Sequence, residues 1–217
     1  TGAMLWQAAD FEHGGNNGDL WIAVADLDLD ATPEVVFATD YYMAVFEHDG
    51  TRTAQAETSN WVTGPPCIAD YDGDGEPEIA VPNDSHMTLF DRELNQVWSV
   101  PATGNYGAVA CSAFDFDVDG AYEIIYSGND DFRILDGATG EAQFIWSEHS
   151  SIRGGICGPS LADIDDDGSV EIIIDTYPDL WDPLEQDTIP GITVLGHANN
   201  GWPPAGPYWG MSYHAPL

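Results

Sequence analysis

Four segments of this chain can be laid over one another without a gap. Ala25–Glu34 reads ADLDLDATPE, Ala69–Glu78 ADYDGDGEPE, Phe114–Glu123 FDFDVDGAYE and Ala162–Glu171 ADIDDDGSVE. Their leading aspartates, Asp26, Asp70, Asp115 and Asp163, stand 44, 45 and 48 residues apart. Each unit is too small to bury its apolar face alone and must stack on its neighbours.

The flanks of the four segments repeat as well. A short apolar or small-residue run precedes each one: Leu20–Ala25, Cys67–Ala69, Ala108–Phe114 and Ile156–Ala162. A β-branched run follows directly, as in Glu34–Phe37, Glu78–Val81, Glu123–Tyr126 and Glu171–Ile174. A third run comes next (Met43–Glu47, Met87–Phe90, Phe132–Leu135, Ile192–Leu195). Turn signals such as His48-Asp49-Gly50 and Asp136-Gly137 then lead to a fourth run, with Trp98 in one copy and Trp146 in the next. No segment has helical periodicity. Each unit therefore reads as strand A, Asp-rich loop, and strands B, C and D. That pattern and period suit a β-propeller blade. The expected fold is all-β: a propeller of four complete four-stranded blades plus partial end strands, closed on itself or part of a larger ring. The chain reads as one domain, with blades at about 20–57, 66–100, 108–146 and 156–202 and end strands at 3–9 and 207–217.

Each loop has the form D-x-D-x-D-G-x-x-E, with carboxylates at positions 1, 3, 5 and 9. Oxygen donors in that number suit Ca²⁺, a hard cation that takes about six to eight oxygens. The expected ligand sets are Asp26, Asp28, Asp30 and Glu34; Asp70, Asp72, Asp74 and Glu78; Asp115, Asp117, Asp119 and Glu123; and Asp163, Asp165, Asp167 and Glu171. The residue at position 7 (Thr32, Glu76, Ala121 or Ser169) would contribute its backbone carbonyl, so its side chain is free to vary. Glycine at position 6 permits the left-handed turn such loops need, and Gly75, Gly120 and Gly168 supply it. Ala31 stands there in the first loop, at a strain of about 1 kcal/mol. The first site is therefore expected to be the weakest or differently shaped. A strand follows each loop, so these are not helix-flanked EF-hands. Four unneutralised carboxylates packed within a few ångström would repel strongly. About four Ca²⁺ ions, one per A–B loop, are expected as folding cofactors.

The overall charge agrees with this. The chain has 38 Asp and Glu against 4 Lys and Arg, for a formal net charge of −34. A phosphate backbone needs a basic face, so a nucleic-acid partner is excluded. An anionic bilayer surface would repel the chain, and no apolar run is long enough to span one. No secretory leader is visible, and Thr1-Gly2-Ala3-Met4 reads as a trimmed end. Cys67, Cys111 and Cys157 have no metal-ligand spacing, and an odd number argues against a full disulfide framework. They are expected as small, buried strand residues.

The loops and the strands around them, over about residues 20–202, resemble the FG-GAP and VCBS repeats of integrin-α-like β-propellers. The phrases Ile134-Leu135-Asp136-Gly137-Ala138-Thr139-Gly140 and Gly191–Leu195, and the tail Trp209–His214, are similar to bacterial secreted members. The resemblance implies an extracellular or cell-surface location, with adhesion, carbohydrate binding or scaffolding as the role. The FG-GAP phrase itself is poorly kept, so no integrin-type partner follows.

In a propeller the calcium loops stiffen one face, leaving the D–A and B–C loops free for recognition. Asn60 with Trp61, and Asn105 with Tyr106, recur at fixed distances before the leading aspartates, and Arg153 stands where the fourth Asn would be. An amide beside an aromatic ring suits sugar or peptide recognition by stacking and hydrogen bonding. The longest B–C connection, about Thr176 to Pro190, carries Trp181. The leading functional expectation is a binding or adhesion module for a glycan or protein. One alternative is a structural repeat unit of an extracellular assembly or filament. The other is a lyase-like propeller enzyme acting on polysaccharide. No nucleophile in a recognisable setting supports catalysis, and no catalytic residue is assigned.

Overall fold

The computed structural model describes residues 2–8, 20–102, 110–128, 131–147, 158–176, 191–199 and 201–204. These hold fifteen β-strands in four antiparallel sheets and no helix. Sheet 1 comprises β1 (Leu20–Ala25), β2 (Glu34–Thr39), β3 (Tyr42–Phe46) and β4 (Arg52–Glu57). Sheet 2 comprises β5 (Cys67–Ala69), β6 (Glu78–Pro82), β7 (His86–Phe90) and β8 (Gln96–Pro101). Sheet 3 comprises β9 (Ala110–Phe114), β10 (Glu123–Ser127), β11 (Phe132–Leu135) and β12 (Ala142–Trp146). Sheet 4 comprises β13 (Ser160–Ala162), β14 (Glu171–Thr176) and β15 (Gly191–Leu195). Within each sheet the strands lie side by side in chain order. The A–B–C–D reading of the sequence therefore holds for three sheets, and among the described residues the fourth has three strands.

The sheets pack through strands buried on both faces. The middle strands β3 and β6 are buried at every residue, which explains their near-continuous apolar runs. Ala25, Val36, Met43 and Val45 of sheet 1 share one core with Ile68, Ile79, Val81 and Phe90 of sheet 2. Ala80, Met87 and Leu89 of sheet 2 share the next with Ile124, Tyr126 and Leu135 of sheet 3. Ile125, Phe132 and Ile134 then meet Leu161, Ile172 and Ile174 of sheet 4. Among the described residues, sheets 2 and 3 each give one face to the sheet before and one to the sheet after, the quasi-linear stacking that the repeat demanded.

The contact between the last strand of one sheet and the C–D turn of the next is compensated in volume. Trp98 on β8 lies over Gly140 of sheet 3, where a Cβ would come within 3.0 Å of its ring, and its indole N–H donates to Gly137 O at 2.8 Å. Trp6 stands over Gly50 of sheet 1 in the same manner, donating to His48 O at 3.0 Å. Between sheets 1 and 2 the sizes are exchanged. Leu94, at φ 63°, takes the glycine place and belongs to the core cluster that Ala54 and Ala56 of β4 pack against. At the first two contacts a large ring meets a bare backbone and fills the gap; between sheets 1 and 2 a cavity of about 190 Å³ remains, lined by Ala56 and Leu94 among others.

Two expectations change. Residues 2–8 carry no strand; Trp6 and Ala8 instead cover Phe37, Tyr42, Ala44 and Phe46 on the outer face of sheet 1. The end strand expected over 207–217 lies outside the described residues. Cys67 and Cys111 are buried strand residues as expected, but they also form a disulfide across a 44-residue separation. Spacing could not show this pairing, because β5 and β9 become neighbours only when sheets 2 and 3 stack. Cys157 lies outside the described residues.

Candidate metal centres

Each Asp-rich loop joins the first strand of its sheet to the second, and the four loops fold alike. The position 9 glutamate points back under the loop to accept the backbone N–H of position 2. Glu34 takes Leu27 N at 2.6 Å, Glu78 takes Tyr71 N at 2.8 Å, Glu123 takes Phe116 N at 2.8 Å and Glu171 takes Ile164 N at 2.9 Å. The leading aspartate accepts the N–H of position 6: Ala31 to Asp26 at 3.0 Å, Gly75 to Asp70 at 2.8 Å, Gly120 to Asp115 at 3.1 Å and Gly168 to Asp163 at 2.9 Å. The position 5 aspartate accepts the N–H of position 7, from Thr32, Glu76, Ala121 and Ser169, at 2.8 to 2.9 Å. Backbone donors thus fix the direction of each of these carboxylates, and the leading aspartates accept on both oxygens, the second bond coming from position 5 in three loops and from Gly73 in the other.

Oxygens of three carboxylates converge in each loop. Asp26, Asp28 and Glu34 each bring an oxygen within 4.8 Å of the others, and Asp70, Asp72 and Glu78 do the same. In the other two loops the group is formed by positions 1, 3 and 5: Asp115, Asp117 and Asp119, and Asp163, Asp165 and Asp167. Asp30, Asp74, Glu123 and Glu171 are not in these groups, although each lies in its loop through the hydrogen bonds above.

These groups fit a hard cation. The donors are all oxygen, as Ca²⁺ requires. Glu34 is 2% exposed, and its Oε1 is buried without a partner while Oε2 is occupied. Such an atom carries an uncompensated desolvation penalty. Burial pushes the Glu78 carboxyl up to about 7, assisted by the charges of Asp72, Asp70 and Asp74. Burial raises the Glu34 and Glu123 carboxyls too, against the lowering effect of their backbone hydrogen bonds. Asp30 is shifted the other way, chiefly by a hydrogen bond from the Thr32 hydroxyl. The loops thus hold carboxylates that a divalent ion would stabilise in their charged form.

A pH dependence with a definite sign follows. The folded pKa of Glu78, about 7, lies above its ordinary value of 4.5. In the ion-free protein its contribution to stability is complete below about pH 4.5 and is lost as the pH rises to about 7. Cation binding needs the deprotonated form, so affinity should rise over the same window, by up to tenfold per pH unit for each proton released. Glu78→Gln should raise the melting temperature at pH 8 in EDTA and lower it in calcium. Thermal melts in both buffers will read this crossing, and equal shifts in both would contradict it.

Two features escaped the sequence. Position 4 is also left-handed in all four loops, with φ of 62° at Leu29, 75° at Gly73, 61° at Val118 and 61° at Asp166. Only Gly73 signals it. Position 2 anchors the loop: Leu27, Tyr71 and Phe116 are buried in the three inter-sheet cores, while Ile164 of the last sheet is 54% exposed. Alternation of acid and apolar residues was the available signal. Ala31 adopts φ 74° and makes the same hydrogen bond to its leading aspartate as the glycines at its position, so the first loop is not differently shaped. Ala31→Gly is expected to stabilise the chain by about 0.5–1 kcal/mol in denaturant unfolding, through relief of that strain.

On the other side of the sheets, Asn60 and Trp61 lie in the connection from β4 to β5. The Asn60 amide nitrogen is 3.3 Å from His86 Nδ1, and Trp61 Nε1 is buried without a partner. Asn105, Tyr106, Arg153 and Trp181 lie outside the described residues.

A family model described as an FG-GAP-like repeat matches residues 26–81, from the first Asp of loop 1 to β6. The match contains two of the four loops, and the other two reproduce its hydrogen bonds. No curated protein sequence matches the chain. Among solved structures, the V. cholerae biofilm matrix protein Bap1 is similar over 92% of this chain and 59% of its own, at TM-score 0.67 and 18% identity. BBS1N, solved in complex with ARL6DN, is similar over 71% of this chain and 50% of its own, at TM-score 0.54 and 12% identity. BamB from Moraxella catarrhalis is similar over 72% and 46%, at TM-score 0.51 and 13% identity. At these identities the likeness is one of fold. The chain spans about half to three-fifths of the solved chains it matches.

Proposed function

We propose that this chain is a calcium-stiffened β-propeller segment, acting outside the cell as a binding or adhesion module for a glycan or protein. The observation that carries the proposal is the fourfold recurrence, between the first two strands of successive sheets, of an acidic loop whose position 1, 5 and 9 carboxylates accept the same backbone N–H groups and which gathers three carboxylates within reach of one ion. Acidic turns that merely solvated strand ends would have no reason to repeat their backbone hydrogen bonds residue for residue. About four Ca²⁺ ions would occupy the loops, with the carbonyls of Thr32, Glu76, Ala121 and Ser169 completing the shells. The propeller assignment is supported by the shared core between each sheet and the next. Extracellular placement is supported by the Cys67–Cys111 disulfide, which persists in oxidising compartments, and by the fold shared with a biofilm matrix protein.

A structural role in an assembly is the second reading. Leu20, Ile22 and Val24 alternate along β1, each about half exposed or more, on an outward face of sheet 1. Such a strip invites another sheet.

Isothermal titration with CaCl₂ tests the metal, and a chain that takes up no calcium overturns it. Binding of the calcium-loaded chain to a glycan array and to extracellular matrix material tests the module. Sedimentation that grows with calcium in the absence of any ligand would instead favour the assembly reading.

A further inference from the structure

Every junction between sheets uses the same positions. The earlier sheet offers the second residue after its position 9 glutamate and two residues of its third strand. Sheet 1 offers Val36, Met43 and Val45 to sheet 2. Sheet 2 offers Ala80, Met87 and Leu89 to sheet 3, and sheet 3 offers Ile125, Phe132 and Ile134 to sheet 4. All of these side chains are buried. Sheet 4 fills the same three positions with Ile173, Ile192 and Val194, and the register agrees: Ile173 pairs with Val194 as Val36 pairs with Val45. Yet Ile192 is 77% exposed and Val194 43%.

The receiving face of each sheet has fixed positions too. Ile68 of β5 and Leu161 of β13 each stand two residues before a leading aspartate and are buried against the preceding sheet. Val24 holds that position in sheet 1 and is half exposed, with Ile22 and Leu20 beside it on the same face of β1. The two ends of the stack therefore present apolar strips at positions that are core at the internal junctions.

We propose that these strips meet between copies: the open face of sheet 4 packs on the open face of sheet 1 of a second copy. A second copy carries the matching face by construction. The new junction repeats those inside the chain, apolar position against apolar position. It is head-to-tail, because the two faces differ, so copies close into a ring or run on as a filament. Trp6 agrees with this geometry. It stands over Gly50 as Trp98 stands over Gly140, so residues 2–8 hold the place of the fourth strand of a preceding sheet. Sheet 4, with three strands among the described residues, brings the other three. The charge of −34 on each copy opposes the contact, and salt and bound cations weaken that repulsion. The proposal deepens the assembly reading by naming the partner and both faces, and it rests on that reading.

The test is sedimentation velocity of the calcium-loaded chain at physiological ionic strength, over a range of concentrations. The expected result is species heavier than the monomer, with a share that grows with concentration. Ile192→Glu on sheet 4 and Ile22→Glu on sheet 1 should each weaken association by about a hundredfold, because each forces an unpaired charge into an apolar contact. Both side chains are exposed in the single chain, so the melting curve of each dilute variant should match that of the wild type. Val194→Glu and Val24→Glu repeat the test on the same faces should either of the first two fail to fold. Mixing separates head-to-tail from like-to-like contact. The Ile192→Glu copy keeps its sheet 1 face and the Ile22→Glu copy keeps its sheet 4 face, so the two variants, monomeric apart, should pair one to one. A monomer at every concentration would overturn the proposal and the assembly reading together. Association that survives both substitutions, or variants that stay apart on mixing, would overturn this pairing alone.

Discussion

Excess EDTA added to the calcium-loaded chain is expected to lower its melting temperature by tens of degrees. The ligand oxygens of each loop converge only in the folded chain, so binding free energy adds to folding free energy. An ion present at a hundredfold excess over its dissociation constant contributes about 2.7 kcal/mol per site. Four independent sites would contribute about 11 kcal/mol, and about 2–4 °C per kcal/mol applies to a chain of this length. Removing the ions also leaves Glu34, Glu78 and Glu123 as buried carboxylates whose pKa values are raised. The loss should therefore be steeper at pH 8 than at pH 5. Differential scanning calorimetry at both pH values, with calcium and with EDTA, measures the effect. A melting curve indifferent to EDTA would remove the metal assignment.

The second large effect concerns the Cys67–Cys111 bond. It ties the first strand of sheet 2 to the first strand of sheet 3 and closes a loop across a 44-residue separation. On the chain-entropy account, a loop of that size destabilises the unfolded state by about 4 kcal/mol. Replacing both cysteines by serine adds a further loss, because Cys67 and Cys111 are each less than one-tenth exposed within the shared core. Cys67→Ala with Cys111→Ala is the cleaner variant and should lose about 2–4 kcal/mol in denaturant unfolding. In EDTA, where the loops no longer reinforce the sheets, the same variant should be close to unfolded at 37 °C. Unchanged unfolding midpoints in the oxidised chain and the double variant would show that the two thiols do not pair.

Much of the acidic loops was legible in advance for a local reason. Asp26 to Glu34, and its three counterparts, are joined by hydrogen bonds between residues two to seven apart. A pattern that close in sequence is also close in space, so residue type and spacing were enough. The strands were legible because their apolar runs recur beside each loop. Position 4 was not, since Leu29 and Val118 are poor advertisements for a left-handed backbone. The expected end strand at 3–9 is a single apolar run, and Trp6 uses it to cap a ring surface rather than to pair a backbone.

The amino-acid sequence by itself determined the number of units, the order of strands within each, and the acids gathered at each corner, because all of these are set by short-range pattern. Tertiary structure alone decided the rest. Which thiols met, which of Trp98, Leu94 or Gly140 stood at a given contact, and which apolar strips were left uncovered all depend on residues tens of positions apart. Such contacts exist only after two sheets have stacked, and the pairing is then dictated by volume and by the direction of backbone groups, neither of which a linear pattern contains.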